Sequence, residues 1–359
     1  MKKRVKQILA LTLSVVLALC CLSACGSASP DSSSSPAVSA NPSDNTAPAE
    51  KMKVALILPG KKDDVSFNQA MYEGMNEYFN NHQDEVELKV VENMYETSEI
   101  EPTLIEYAEE GYDVIIGHGY QFTEPLVKVA KQYPDTYFLL GCGVDSTTNS
   151  AIYDVKLEAG GYLMGVIAAL TTKTGKVGVI GGGEGAEITR GHEGFKAGAK
   201  SIIADIEIQE VYTGDWNDTA GAYEAAVSMY DSGVDVIWHS GDGIGLGVVQ
   251  AAVEKDKYVL GNVEDQKNLG ASNVLSGLQY EWGMVLDKIF SDIKDGSFTT
   301  KTGEDKTYWI NIANGGLSMT DLNDTKGYLT QEKIDQINTI FEQLKNDEIE
   351  LPSVEAKQG

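Results

Sequence analysis

The body of this chain is nearly free of cysteine. Of its four cysteines, Cys20, Cys21 and Cys25 fall in the first 25 residues and leave Cys142 alone beyond them. That excludes an intrachain disulfide framework and a CxxC pair. The four histidines (His82, His118, His192 and His239) show no HExxH spacing and have no cysteine companions. A histidine-built metal centre is therefore not expected, which leaves only all-carboxylate sites open. No GxxxxGK[ST] run occurs, so the chain is not itself a P-loop ATPase. Beyond the first six residues, no cluster of Lys or Arg offsets the acidity of a chain whose net charge is −26. A surface this acidic repels nucleic acid and anionic lipid, so neither is expected as a partner. Beyond the first 25 residues, no apolar run is long enough to cross a bilayer.

What the start of the chain does contain is a basic cluster (Lys2, Lys3, Arg4, Lys6) followed by an apolar run over 8–22. It reads as the n- and h-regions of an export signal, and it is short for a membrane span. The run ends in Leu22-Ser23-Ala24-Cys25-Gly26, which resembles the lipobox of bacterial lipoproteins. The resemblance implies that Cys25 is lipid-modified and becomes the first residue. An ordinary signal peptide and an uncleaved anchor are the alternatives. Residues 26–50 are Ser, Pro, Ala, Asn and Asp with little apolar bulk. Such a segment cannot bury a core and is expected to be a disordered tether. The expected location is the outer face of the cytoplasmic membrane, held by lipid alone.

At 359 residues and 42% hydrophobic, the chain is long enough for two domains with substantial cores. From residue 53 onward, strands and helices alternate. Strands are expected over 53–59, 87–91, 113–117 and 137–141, with helices from about 66, over 100–110 and over 123–132. Such alternation defines an α/β architecture of parallel sheets with helices on both faces. After a helix over 157–172 the plan restarts, with strands over 176–180, 207–212, 235–239 and 258–261. Gly111-Tyr112-Asp113-Val114-Ile115-Ile116-Gly117 is echoed by Gly233-Val234-Asp235-Val236-Ile237-Trp238-His239. The expectation is two lobes, the first from 51–150 and 272–359, the second from 151–271. A strand near 273–278 and helices over 282–294 and 331–345 are expected to return to the first lobe. A cleft with a hinge would lie between the lobes.

Within this frame the signs of catalysis are weak. The turn Gly181-Gly182-Gly183-Glu184-Gly185-Ala186 satisfies G-x-G-x-x-A, but Glu184 would face a pyrophosphate. A tight turn at the cleft edge is the preferred reading. Ser240 lacks the glycine two residues ahead that a nucleophile elbow needs, and His239 is its chain neighbour on the opposite strand face. Carboxylate pairs such as Glu184/Glu187 and Glu264/Asp265 read as solvated surface in so acidic a protein. No enzyme activity, cofactor or metal is therefore expected.

The strand ends instead carry aromatic and amide side chains: Phe67 and Asn68; Tyr120, Gln121 and Phe122; Trp216 and Asn217; Trp238. Ser66 and Gln69 fit a capping box that starts a helix beside Phe67. In open parallel sheets this carboxyl edge is where ligands bind. Aromatic faces from two lobes suit a flat ring, with amides fixing its orientation.

Several segments carry a family resemblance: Asp64-Val65-Ser66-Phe67-Asn68-Gln69, Lys176-Val177-Gly178-Val179-Ile180-Gly181-Gly182 and Phe195-Lys196-Ala197-Gly198. Others are Gly214-Asp215-Trp216-Asn217-Asp218, Gly241-Asp242-Gly243-Ile244-Gly245, Asp265-Gln266 and Asn314-Gly315-Gly316-Leu317. Their order and spacing resemble the basic membrane protein family of bacterial lipoproteins, which includes purine nucleoside receptors serving ABC importers. The resemblance implies a type I periplasmic-binding-protein fold with three crossovers. Its partners would be a small ligand and an ABC permease, and the chain would be monomeric. By motif position, Phe67 and Trp216 would sandwich a purine, and Asp64 and Asn68 would contact it. Tyr120, Gly241, Gly243 and Asp265 complete the expected site. A sensory or adhesion lipoprotein with the same fold is the alternative, and an extracytoplasmic hydrolase a third.

Three positions depart from the family pattern. Gly141 and Val263 stand where the family commonly has Asp, and Tyr280 where it often has Lys. Those groups are expected to hold ribose hydroxyls, and an unmade buried hydrogen bond costs about 1–3 kcal/mol. Either Glu264, Asp265 and Gln279 replace them, or the ligand lacks a ribose.

Overall fold

The computed structural model describes residues 50–353. Cys25 and the expected tether lie outside the described residues. The chain proceeds through β1 (Met52–Ile57), α1 (Phe67–Asn81), β2 (Val86–Val91), α2 (Thr97–Glu109), β3 (Val114–Gly117), α3 (Thr123–Ala130), β4 (Tyr137–Gly141) and β5 (Ser150–Val155). It then forms α4 (Leu157–Thr171), β6 (Lys176–Gly181), α5 (Ala186–Ile202), β7 (Glu207–Tyr212), α6 (Thr219–Asp231), β8 (Val236–Ser240), α7 (Ile244–Glu254), β9 (Tyr258–Gly261) and β10 (Val274–Tyr280). The last elements are α8 (Trp282–Asp295), β11 (Thr307–Ile310), β12 (Leu317–Met319) and α9 (Gln331–Lys345).

Two six-stranded sheets result. The first runs β2-β1-β3-β4-β5-β11 and is parallel throughout. The second runs β7-β6-β8-β9-β10-β12, parallel except for β12 against β10. Both sheets reverse their strand order after the first strand of the repeat, so each lobe presents a topological switch point to the other. The central strands read as unbroken apolar runs, Val54 to Leu58 being wholly buried, because helices cover both of their faces.

The structure redraws the expected lobe boundaries. An unforeseen strand, β5, lies beside β4 and extends the first sheet. The strand near 273–278 does not return to the first lobe; as β10 it pairs with β9 in the second sheet. Helix α8 does pack on α1 in the first lobe, whereas α9 lies on α4 in the second. The chain crosses between lobes three times: at Lys156, at Glu281, and over 311–316. The crossings are laced together, since Lys156 N donates to Ile310 O (2.9 Å) and Glu281 N to Gly316 O (2.9 Å).

Helix α5 is fixed against α4 by close backbone approach. A Cβ added at Gly161 would fall 2.0 Å from Gly191 O, and one at Gly165 2.0 Å from Phe195 O. No other residue fits there, which accounts for the glycine spacing on both helices. The consequence is positional: the N-terminus of α5, with Glu187 and Arg190, is held rigidly at the lobe interface.

Candidate functional site

The first wall is built by the loop between β1 and α1. Helix α1 starts where the pattern predicts, but Ser66 and Gln69 form no capping box. The Asp64 carboxylate instead accepts from the backbone N of Ser66 (2.9 Å), Asn68 (3.2 Å) and Gln69 (3.0 Å). It also accepts from Asn68 Nδ2 (2.7 Å), while Asn68 Oδ1 accepts from Gly60 N (3.2 Å). Asn68 is buried. Asp64 and Asn68 thus shape the loop, and neither borders the cleft. Phe67 does border it. Its ring lies flat on His118, which is buried, donates from Nε2 to the Phe67 carbonyl (2.9 Å) and accepts from Tyr153 Oη at Nδ1 (2.7 Å). The tautomer follows from the carbonyl, which can only accept.

The second wall is Trp216. Its indole lies on the glycine-rich turn after β6: a Cβ at Gly182 would stand 2.6 Å from Cε3, and one at Gly183 3.0 Å from Cζ2. The G-x-G-x-x-A match is therefore the seat of an indole, with Glu184 exposed.

Between these walls is a cleft whose empty space of about 630 Å³ includes solvent at its open mouth. Phe67, Tyr95, Tyr120 and Trp216 line it, together with Gly241, Asp242, Glu187, Cys142, Asn262 and Val263. Of the expected residues, Phe67, Tyr120, Trp216 and Gly241 are thus brought together. Gly243 packs against Asn217 behind the cleft. Asp265 is exposed and accepts from Lys267 N (3.1 Å). Phe122 and Trp238 are core residues, wholly buried. Glu264 and Gln279 do not border the cleft either, so no replacement for the family carboxylates comes from that quarter. A Cβ at Gly141 would fall 2.7 Å from Tyr153 Oη, so Tyr153 already occupies the room an aspartate would need.

Glu187, read from sequence as surface, is the carboxylate that does face the cleft. Burial, then the charge of Asp154, push it up to about 7. Asp154 is buried, paired with Arg190 Nη2 (2.7 Å), and Arg190 Nε also lies 3.4 Å from Glu158. The Cys142 thiol sits with both acids, the three ligand atoms lying within 4.8 Å of one another. Burial raises this thiol well above its ordinary value, making it unreactive. Arg190 already supplies the positive charge of the trio, so the arrangement gives no reason to place a metal there. Asp242, in the same lobe on the turn after β8, is pushed well up by desolvation and by Asp64, Glu187 and Asp215. The signal for Asp242 was its place between two glycines at a strand end.

Backbone strain gathers at the same edge. Val65, Cys142 and Val263 have φ of 55°, 52° and 72°, an unfavourable region for β-branched residues above all. Contacts across the cleft hold it closed: Gln266 Nε2 donates to Val65 O (3.1 Å) and Ser66 Oγ to Gly241 O (3.4 Å).

One arrangement was invisible in the sequence. Ser240 Oγ donates to His192 Nε2 (2.7 Å), and His192 Nδ1 donates to Glu210 Oε1 (2.9 Å). This is the order of a Ser-His-acid relay, with His192 in place of the neighbour His239. Ser240 and His192 are wholly buried, and Ser240 does not reach the cleft. The relay ties α5 to β7 and β8 and offers a substrate no approach to the hydroxyl.

Two lobes of parallel sheet joined by three crossings, with an aromatic cleft at their switch points, define a type I periplasmic-binding-protein fold. A solute-binding protein of an ABC transporter system from Aeropyrum pernix shares it with a TM-score of 0.74 at 18% identity, over 86% of this chain and 94% of that one. Residues 51–355 match the family described as ABC transporter substrate-binding protein PnrA-like, and the chain belongs to that family. A Listeria monocytogenes protein named CD4+ T-cell-stimulating antigen is 34% identical over 318 residues, 85% of this chain and 86% of its own. The nucleoside-binding protein BmpA of Lactococcus lactis is 31% identical over 280 residues (72% and 78%). A purine-binding protein of Brucella abortus is 27% identical over 286 residues (79% and 80%).

Proposed function

We propose that this chain is the receptor of an ABC importer, anchored through lipid on Cys25, and that it closes on a purine nucleoside or related aromatic heterocycle between Phe67 and Trp216. The observation that carries this reading is the paired backing of the two rings. Phe67 rests on His118 and Trp216 on the glycine turn, each within its own lobe, and both border the same cleft. Two faces stiffened from behind are what stacking of a flat ring requires. The names of the Lactococcus and Brucella relatives support the same class. Asp64 and Asn68 serve the ligand indirectly by holding the Phe67 loop, while Tyr120 and Gly241 border it. With Gly141 and Val263 standing in place of the family's aspartates and Tyr280 in place of its lysine, recognition rests on the base more than on the sugar. The chain acts as a monomer and turns nothing over, in keeping with the burial of Ser240.

A thermal-shift panel of nucleosides, free bases, vitamins and sugars tests this, since a true ligand raises the melting temperature. Shifts from purines or their nucleosides are expected, and a response confined to sugars or vitamins would end the assignment.

A further inference from the structure

The lining of the cleft has a charge asymmetry that a neutral ring leaves unanswered. Among the described residues, four aromatic side chains (Phe67, Tyr95, Tyr120 and Trp216) and two carboxylates (Glu187 and Asp242) border it, and no Lys, Arg or His does. Among the described residues no cation pairs with either carboxylate; Arg190, one turn along from Glu187, is engaged by Asp154 and Glu158. The two acids come from different elements of the second lobe, the start of α5 and the turn after β8, and converge on one space. Asp64 and Asp215 stand near Asp242, and Asp154 near Glu187, so the neighbours add negative charge. Closing such a cleft on a neutral ligand leaves the acids either desolvated without counter-charge or obliged to take up protons, and both are costly. Aromatic faces attract positive charge as well, through their quadrupoles.

Building on the proposed function, we infer that the ligand is a heteroaromatic cation, a flat ring carrying a fixed or protonated positive charge, stacked on Phe67 and Trp216 with its charge answered by Glu187 and Asp242. The cation does for these carboxylates what Arg190 does for Asp154. It also explains why an acid stands at the cleft edge of α5 although Glu264, Asp265 and Gln279 do not reach the cleft.

Two matched pairs of compounds test this by titration calorimetry at pH 7.5. 1-Methyladenosine is a cation there, and its isomer N6-methyladenosine is neutral. N1-Methylnicotinamide is a cation without ribose, and nicotinamide is its neutral counterpart. At least one cation is expected to bind more tightly than its partner by about tenfold or more. In the Glu187→Gln/Asp242→Asn double variant, checked for folding by thermal unfolding, that preference should shrink to about threefold or less. Single variants serve if the double variant fails to fold. Equal or tighter binding of the neutral member in both pairs overturns the inference and leaves the heterocycle reading standing. A preference unchanged by loss of the carboxylates overturns it as well. Silence from all four compounds, together with silence from the unmodified purines and nucleosides, takes down both readings.

Discussion

Phe67 and His118 are bound to each other twice. Their rings stack with centroids 3.8 Å apart and planes 16° from parallel, and His118 Nε2 donates to the carbonyl of Phe67 at 2.9 Å. Burial holds His118 down to about 3, so it stays neutral throughout the physiological range. An unfolded histidine takes up its proton near 6.5. As pH falls below that value the unfolded state binds more protons than the folded one, and stability is lost. Between pH 7 and pH 5 the wild type should therefore lose about 1–2 kcal/mol more than a His118→Gln variant, in which the amide can replace both hydrogen bonds. Urea unfolding of both proteins at the two pH values checks this. Parallel losses would mean that His118 is protonated in the folded protein.

The seat of Trp216 yields a prediction about a residue that touches no ligand. Replacing Trp216 by Ala should weaken binding by about 1–3 kcal/mol through lost stacking. Gly182→Ala should also weaken it, because its methyl would stand 2.6 Å from the indole and displace the ring. Trp216→Ala should keep a near-normal unfolding midpoint, since Trp216 is only half-buried, whereas Gly182→Ala should lower it somewhat, since its methyl would also stand 2.9 Å from the Trp216 Cα. Calorimetry with the best ligand of the panel, alongside thermal unfolding, separates the two effects. Undiminished affinity in Gly182→Ala would mean that the indole position does not matter.

Much of the scaffold was legible because the periodicity is strong. Strands 137–141, 207–212 and 258–261 and helix 331–345 fall where the pattern puts them. What could not be read was which lobe a late element joins. β10 and α9 carry the same apolar signals wherever they dock, and partner choice is a tertiary matter. β5 escaped because its polar residues, Ser150 and Asp154, are buried there by specific partners rather than by apolar pattern. In the site, Phe67 and Trp216 were visible as aromatics at strand ends. Glu187 was not, since one acid in an acidic protein carries no mark of facing inward. The Ser240–His192 contact joins residues 48 positions apart and leaves no local signature.

Gln266 links the two lobes through one side chain. Its Oε1 accepts from His239 Nε2 (2.7 Å) and its Nε2 donates to Val65 O (3.1 Å). His239 is wholly buried, and its Nδ1 has no partner among the described residues. Gln266→Ala would leave both ring nitrogens unsatisfied, a cost of about 1–3 kcal/mol in stability. It also removes a tie across the cleft, so the ligand-free protein should shift toward open forms. Small-angle scattering is expected to give a larger radius of gyration for the variant than for the wild type without ligand. Indistinguishable radii would mean that Gln266 does not contribute to closure.

The buried relay of Ser240, His192 and Glu210 sets a test of the claim that nothing is turned over. A hydroxyl that is wholly buried cannot meet a phosphonate probe, whatever its hydrogen bonds. Incubation with a fluorophosphonate followed by mass spectrometry should leave Ser240 unmodified. Ser240→Ala should lower stability by about 1 kcal/mol through the lost hydrogen bond, with ligand affinity unchanged. A Ser240 adduct would show that the hydroxyl is reachable and would reopen hydrolysis.

Glu187 is the place where stability and binding should pull in opposite directions. It is faced by Asp154 on β5, Cys142 after β4, Arg190 on its own helix, Asp242 after β8 and Tyr280 on β10. Burial first, and the Asp154 charge second, raise it to about 7 from the ordinary 4.5. A carboxyl raised on folding binds its proton more tightly in the folded state. Its destabilising effect is therefore absent below the ordinary value, grows as pH rises between the two, and is complete above about 7. After allowance for solvent in the cleft, Glu187→Gln should stabilise the empty protein by about 1–2 kcal/mol at pH 8 and by little near pH 4.5. Denaturant unfolding of the empty wild type and variant at the two pH values measures this directly. A variant less stable than wild type at pH 8 would mean that the ionised Glu187 has a favourable partner in the folded protein, and that the acid is there to hold the lobe together and not to meet a ligand.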